Sequence, residues 1–121
     1  MLYADLTGKI IGAAYAVFNE LGSGFLERVY QEALGIELRE RGVEFEREVE
    51  FRLHYRGREL SCKYTADFVV GGRVIVELKA VRSMDEAFVG QVLNYLHASK
   101  MKVGLLINFG DKGVKIKRFA N

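Results

Sequence analysis

One hairpin constrains this chain more than any other stretch. Residues 64–81 read YTADFVVGGRVIVELKAV, two apolar runs joined at Gly71-Gly72. Into them are set an acid in the first arm, Asp67, and an acid and a base at the end of the second, Glu77 and Lys79. Side chains alternate along a strand, so Glu77 and Lys79 share one face and Leu78 takes the other. Charges placed at the end of a Val-Ile-Val run cost desolvation energy unless something offsets it, and a divalent cation would. The register decides whether Asp67 joins them. A two-residue loop puts Asp67 opposite Val76, on the wrong face. A three-residue loop, or a bulge, puts it opposite Glu77. The apolar pattern favours the second, because it brings Leu60, Cys62, Tyr64, Ala66, Phe68 and Val70 over Val74, Val76 and Leu78. The register that buries the core therefore also gathers Asp67, Glu77 and Lys79.

Around this hairpin the pattern predicts helices over 5–21 and 25–41 and a strand over 45–55. A third helix follows from Ser83 to about Ser99, then strands over 103–108 and 114–119. Asp5 or Thr7 is the expected cap of the first helix. Leu26, Val29, Ala33 and Ile36 are the expected apolar stripe of the second, and Gly42 its stop. Ser83 and Glu86 fit a capping box for the third, whose core stripe would be Met84, Phe88, Val92 and Leu96. In the first strand Val49, Phe51, Leu53 and Tyr55 alternate with Glu46, Glu48, Glu50, Arg52 and His54, a half-buried strand with a solvated acidic face. The expected fold class is α/β: one compact domain over 1–121, a mixed sheet flanked by helices, in the order α-α-β-β-β-α-β-β.

Composition narrows the function classes. Half of the 121 residues are hydrophobic, enough for a core. A net charge of +2 is too mild to argue for nucleic acid by itself. A single cysteine, Cys62, excludes an internal disulfide framework, fits a reducing cytoplasm, and falls where packing is expected. The apolar runs are too short for a membrane span, so no membrane partner is expected. Lys112, Lys115, Lys117 and Arg118 could touch a phosphate backbone, but an edge strand blunted by lysines has the same pattern.

Two carboxylates and a lysine at strand ends suit metal-assisted phosphodiester hydrolysis. Carboxylates hold Mg²⁺, which keeps several waters and accepts a phosphate oxygen, and a neighbouring amine orients hydroxide or steadies negative charge. Asp67 followed by Glu77-Leu78-Lys79 resembles the D…ExK signature of the PD-(D/E)XK nuclease superfamily. Gly24-Phe25-Leu26-Glu27-Arg28-Val29-Tyr30 resembles the motif of the GxxExxY family, usually placed within it. The resemblance extends over nearly the whole chain and implies an α-β-β-β-α-β core. It implies Asp67, Glu77, the Leu78 carbonyl and Glu27 around a Mg²⁺ ion (Mn²⁺ substituting), with Lys79 acting on water or on developing charge. Gln91 and Tyr95 resemble a QxxxY motif that borders the site and positions DNA, and Tyr30 is grouped with them as a nucleic-acid contact. Phe18 and Phe88 depart from the family pattern, which often carries His there, and Ser23 replaces a usual Pro. By itself, a lone Glu27 reads better as favourable charge placement in a first helical turn than as a ligand. A nuclease acting on DNA is the leading expectation. A catalytically silent nucleic-acid-binding or scaffold module is the alternative, and so small a domain suits a homo-oligomer in either case.

Overall fold

The computed structural model describes residues 1–121. Its elements are α1 (Ala4–Leu21), α2 (Glu27–Glu40), β1 (Phe45–Tyr55), β2 (Arg58–Val70), β3 (Val74–Lys79), α3 (Glu86–Ser99), β4 (Val103–Phe109) and β5 (Val114–Ala120). The five strands form one sheet in sequence order. β3 and β4 are parallel, joined by the α3 crossover, and the other neighbours are antiparallel. This is the mixed α/β sheet that the pattern predicts. No helix is long and apolar enough to cross a membrane.

α1 and α2 cover one face. Ile10, Ala13, Ala14 and Val17 of α1 and Tyr30, Leu34 and Leu38 of α2 bury against Phe68, Val70, Val74, Val76 and Leu78. α3 covers the other face, where Leu96 packs with Tyr64, Ala66, Val69 and Ile75. β4 is buried along its whole length, as its nearly continuous apolar run requires.

The helix ends differ from expectation in instructive ways. Tyr3, in a left-handed conformation, precedes α1, and neither Asp5 nor Thr7 caps it; Thr7 instead donates back to the Ala4 carbonyl. Asp85 rather than Ser83 caps α3, accepting from the Ala87 amide at 2.8 Å. α2 does stop at Gly42, whose φ of 71° lets the Val43 amide reach back to the Leu38 carbonyl. Its buried face, however, is not the one expected from Leu26, Val29, Ala33 and Ile36. Tyr30, Gln31, Leu34, Gly35 and Leu38 point inward, while Leu26, Val29 and Ile36 are exposed. The polar atoms of Tyr30 and Gln31 find partners inside, which lets both side chains take core positions.

Tyr30 is fully buried, with its ring stacked on Phe109 at 4.4 Å and its hydroxyl donating to the Gly22 carbonyl at 2.6 Å. It cannot meet a nucleic-acid strand. Its role is to tie the glycine turn between α1 and α2 to the sheet, which sets where Glu27 begins α2. Cys62 also departs from expectation, being exposed with Leu60. The β1–β2 hairpin runs past the end of β3, and nothing covers it there.

Candidate metal centre at the parting of β2 and β3

The loop between β2 and β3 has three residues. Val70 pairs with Val74, and Gly71 and Gly72 hold φ values of 59° and 67° that suit glycine. The pairing continues through Val69–Ile75 and Phe68–Val76 and then stops. The next two residues in this register are Asp67 and Glu77. There the backbones part, and the two acids close the gap: the Leu78 amide donates to Asp67 Oδ2 at 2.7 Å and the Asp67 amide to Glu77 Oε1 at 3.1 Å. Each strand thus satisfies an amide of its neighbour with a carboxylate instead of a carbonyl.

The sheet changes faces at this level. On β2, Phe68 and Val70 pack towards α1 and α2, but Tyr64 and Ala66 pack towards α3. On β1, Phe45 packs with the first group and Val49 and Phe51 with the second. Simple alternation allows neither switch. The irregularity sits at Glu48, whose φ is 53°, in the step between the pairs Arg47–Phe68 and Val49–Ala66, level with Asp67. The single face expected from Leu60 to Val70 is therefore divided in two at Asp67, and this lets its carboxylate lie between the layers.

From the α2 side, Gln31 donates from Nε2 to Asp67 Oδ1 at 2.9 Å and accepts from Arg47 Nη2 at 2.9 Å. A guanidinium can only donate, so Arg47 fixes which end of the Gln31 amide faces Asp67. Glu27, one turn earlier, lines an open cleft of about 300 Å³ with Arg28, Gln31, Glu48 and Asp67, and no hydrophobic side chain enters it. Larger hollows lie around Gly71, at the other end of the hairpin.

From the α3 side, the Tyr64 hydroxyl donates to Glu77 Oε1 at 2.7 Å. Its ring stacks on Tyr95 at 3.9 Å, and Gln91 Nε2 reaches the Tyr95 hydroxyl at 3.0 Å. Lys79 Nζ sits 4.5 Å above the Phe88 ring, so that residue supplies an electron-rich face beside the site. Phe18 packs against the core. Beyond Lys79, the Asn108 side chain exchanges two hydrogen bonds with the Val81 backbone, 3.0 and 2.9 Å, and pins the chain as it leaves β3.

The structure thus brings Asp67, Glu77, Lys79 and Glu27 to one locus, with Gln91 and Tyr95 on its α3 side. Pattern reading did not single out Gln31, Arg47, Tyr64, Asn108 or the position of Glu48. Gln31 follows the Tyr30 motif directly, a signal that could have been used; Glu48 carried none, since glutamate does not advertise a left-handed conformation.

The electrostatics favour a cation. Burial pushes the Asp67 carboxyl above its usual range, against the opposing pull of the Leu78 amide, Gln31 and Lys79, with Glu48 adding to the rise. Burial, then the Asp67 charge, pushes Glu77 up to about 7. Burial raises Glu27 as well, with Lys79 lowering and Asp67 raising it. Burial and the Glu77 charge raise the Tyr64 phenol, which therefore keeps its proton and remains a donor.

A pH dependence follows. Carboxyls with raised folded-state pKa values favour the protonated, metal-free protein. Their contribution is present in full below the unfolded value, near 4.5 for Glu77, and is lost as pH rises through about 7. For Glu77 the loss amounts to up to about 3 kcal/mol. Urea unfolding in EDTA is expected to show wild type losing more stability between pH 5 and pH 8 than Glu77→Gln. Equal losses in the two proteins would show that Glu77 is not held in this strained state.

No three His, Cys, Asp or Glu side chains are placed to enclose a metal among themselves. The donor set instead fits a hard ion with few protein ligands and several waters: two carboxylates, each with capacity left, and a strand edge. An extended residue directs its N–H and C=O to the same edge, so the Leu78 carbonyl opens on the gap into which its amide points.

No curated protein matches the chain. Among solved structures, one titled "Crystal structure of SSO0001" shares the fold with a TM-score of 0.63 at 18% identity, over 78% of this chain and 50% of that one. The chain thus spans about half the length of that protein. The family model of the PD-(D/E)XK nuclease superfamily matches residues 4–119, a span that takes in the parted strands, both acids, Lys79 and the helices on either side. The chain belongs to the PD-(D/E)XK nuclease superfamily.

Proposed function

We propose that this protein is a nuclease of the GxxExxY type, hydrolysing phosphodiester bonds in nucleic acid, DNA in the first instance, with Mg²⁺ or Mn²⁺. The observation that carries the reading is the pair of crossed carboxylate–amide bonds where β2 and β3 part, with Lys79 two residues beyond Glu77 on the same strand. A divalent cation would relieve a carboxylate on each strand, both desolvated and Asp67 raising the pKa of Glu77. When bound, the ion supplies a water of lowered pKa and positive charge against the phosphate.

The chain's own residues have distinct tasks. Asp67 and Glu77 present oxygens, with the Leu78 carbonyl between them. Gln31 and Arg47 hold Asp67 in its orientation, and Tyr64 does the same for Glu77. Glu27 faces the same cleft from α2, close enough to feel both Asp67 and Lys79, and would accept a hydrogen bond from a water of the ion. Lys79, held over Phe88, orients the attacking water or meets the charge that grows on the phosphate oxygens. Gln91 and Tyr95 steer the strand on the α3 side, with Tyr95 also backing Tyr64.

The test is direct. Calorimetric titration with Mn²⁺ is expected to show one site, and oligonucleotides or plasmid DNA are expected to be cut with Mg²⁺ or Mn²⁺ and left intact in EDTA. Protein that binds no metal and cuts no substrate would support the silent binding module instead.

A further inference from the structure

The β1–β2 hairpin does not end with the sheet. β3 stops at Lys79, but β2 continues to Arg58, and every residue from His54 to Cys62 is exposed, as is Lys63. The free part of β2, residues 58–63, reaches roughly 20 Å at the usual rise per residue. It leaves the body just past Tyr64, which touches Glu77, so the candidate site lies at its root. Two strands without a packed face are marginal in water, so a surface of this kind gains from a partner that covers it.

Charge and shape say which partner. Residues 52–63 carry Arg52, Arg56, Arg58 and Lys63 against Glu59 alone, a net +3 where the whole chain nets +2. At the root, Glu50 pairs with Arg52 and Lys63 at 2.9 Å each. At the tip, Arg56 and Arg58 have no carboxylate within 4 Å. Tyr55, 63% exposed, lies beneath the Arg56 guanidinium with 5.6 Å between the charge centre and the ring. Two unpaired guanidinium groups beside an exposed ring fit a phosphate backbone with a base to stack, and suit neither an apolar groove nor a basic partner.

We infer that this arm is a nucleic-acid grip, in which Arg56 and Arg58 take backbone phosphates and Tyr55 a base, holding the strand that passes the site at its root. The inference rests on the nucleic-acid part of the proposed function and does not require cleavage. Both guanidinium groups can be removed without disturbing the fold, because they are exposed, Gly57 is kept, and Ala meets the left-handed backbone at position 56 with the same Cβ that Arg carries there.

The experiment measures binding of labelled single-stranded and duplex oligonucleotides by fluorescence anisotropy in EDTA, across a salt series. Arg56→Ala/Arg58→Ala is expected to bind about tenfold more weakly at moderate salt. Its slope of log affinity against log salt should be shallower by about 1.4 for single strands and about 1.8 for duplex. Hydrolysis of a small phosphodiester, too short to reach the arm, should be unchanged. Equal affinity and slope in the two proteins would overturn the arm while leaving the nuclease reading intact. Weaker binding by the variant, with no cleavage by either protein, would keep the arm and remove the catalysis. A wild type that binds no oligonucleotide overturns both. Loss of self-association in sedimentation, with oligonucleotide affinity unchanged, would overturn the grip in favour of pairing between two copies of this chain.

Discussion

Asp67→Ala is expected to abolish both divalent-metal binding and hydrolysis while the protein remains folded. A Mg²⁺ site with few protein ligands cannot spare one of them, because the remaining carboxylate and waters must then hold the ion nearly alone. Retention of the fold has its own reason. In the metal-free protein the Asp67 carboxyl is penalised by burial, so its removal offsets part of the loss of its bonds from Leu78 and Gln31. Ala is also a cleaner replacement than Asn here. Arg47 fixes Gln31 with its amide hydrogens towards position 67, and the Leu78 amide points there too, so the position needs two acceptors; Asn would bring a donor against a donor. Mn²⁺ calorimetry, a cleavage assay and circular dichroism on the same preparation check the three parts. Cleavage equal to that of wild type would place the activity in a contaminant or at another site.

How much of this was legible in the sequence depends on where local pattern decides the outcome. The order of elements along the chain, the stop at Gly42 and the three-residue loop at Gly71 follow from alternation and turn chemistry, and that loop alone puts Asp67 level with Glu77. The reversal of faces at Glu48 and Asp67 does not follow, because period-two reasoning assumes an undistorted strand and no glycine marks the break. For the same reason alternation groups Tyr64 and Ala66 with Phe68, although they bury against α3. Aliphatic spacing misplaces the α2 stripe, because the buried positions of Tyr30 and Gln31 are set by partners outside the helix: Phe109, Gly22, Asp67 and Arg47. Local signals thus locate the acids. The residues that orient them are defined by tertiary contacts.

Lys79→Ala is expected to separate binding from rate. Lys79 lowers the pKa of Glu27, Asp67 and Glu77 alike, so it competes with a metal for the same carboxylates. At pH 8, above the value of about 7 to which Glu77 is pushed, removing the amine leaves a more negative site, and Mn²⁺ should bind as tightly as in wild type or more tightly. Near pH 6 the sign reverses. Without Lys79 the acids hold their protons to higher pH, and a proton must leave before the ion can enter, so apparent affinity should fall more steeply with acid than in wild type. Cleavage should drop on the order of a hundredfold or more at saturating metal, the usual scale for losing one preorganised charge aimed at the transition state. The loss belongs in kcat, because Lys79 is held over Phe88 at the strand end, beside the two acids. Metal titrations at pH 6 and pH 8, beside single-turnover cleavage at each pH, give all three quantities. A variant that loses metal affinity at pH 8 would show that the amine supports the carboxylates rather than the reaction, and would remove Lys79 from the chemistry.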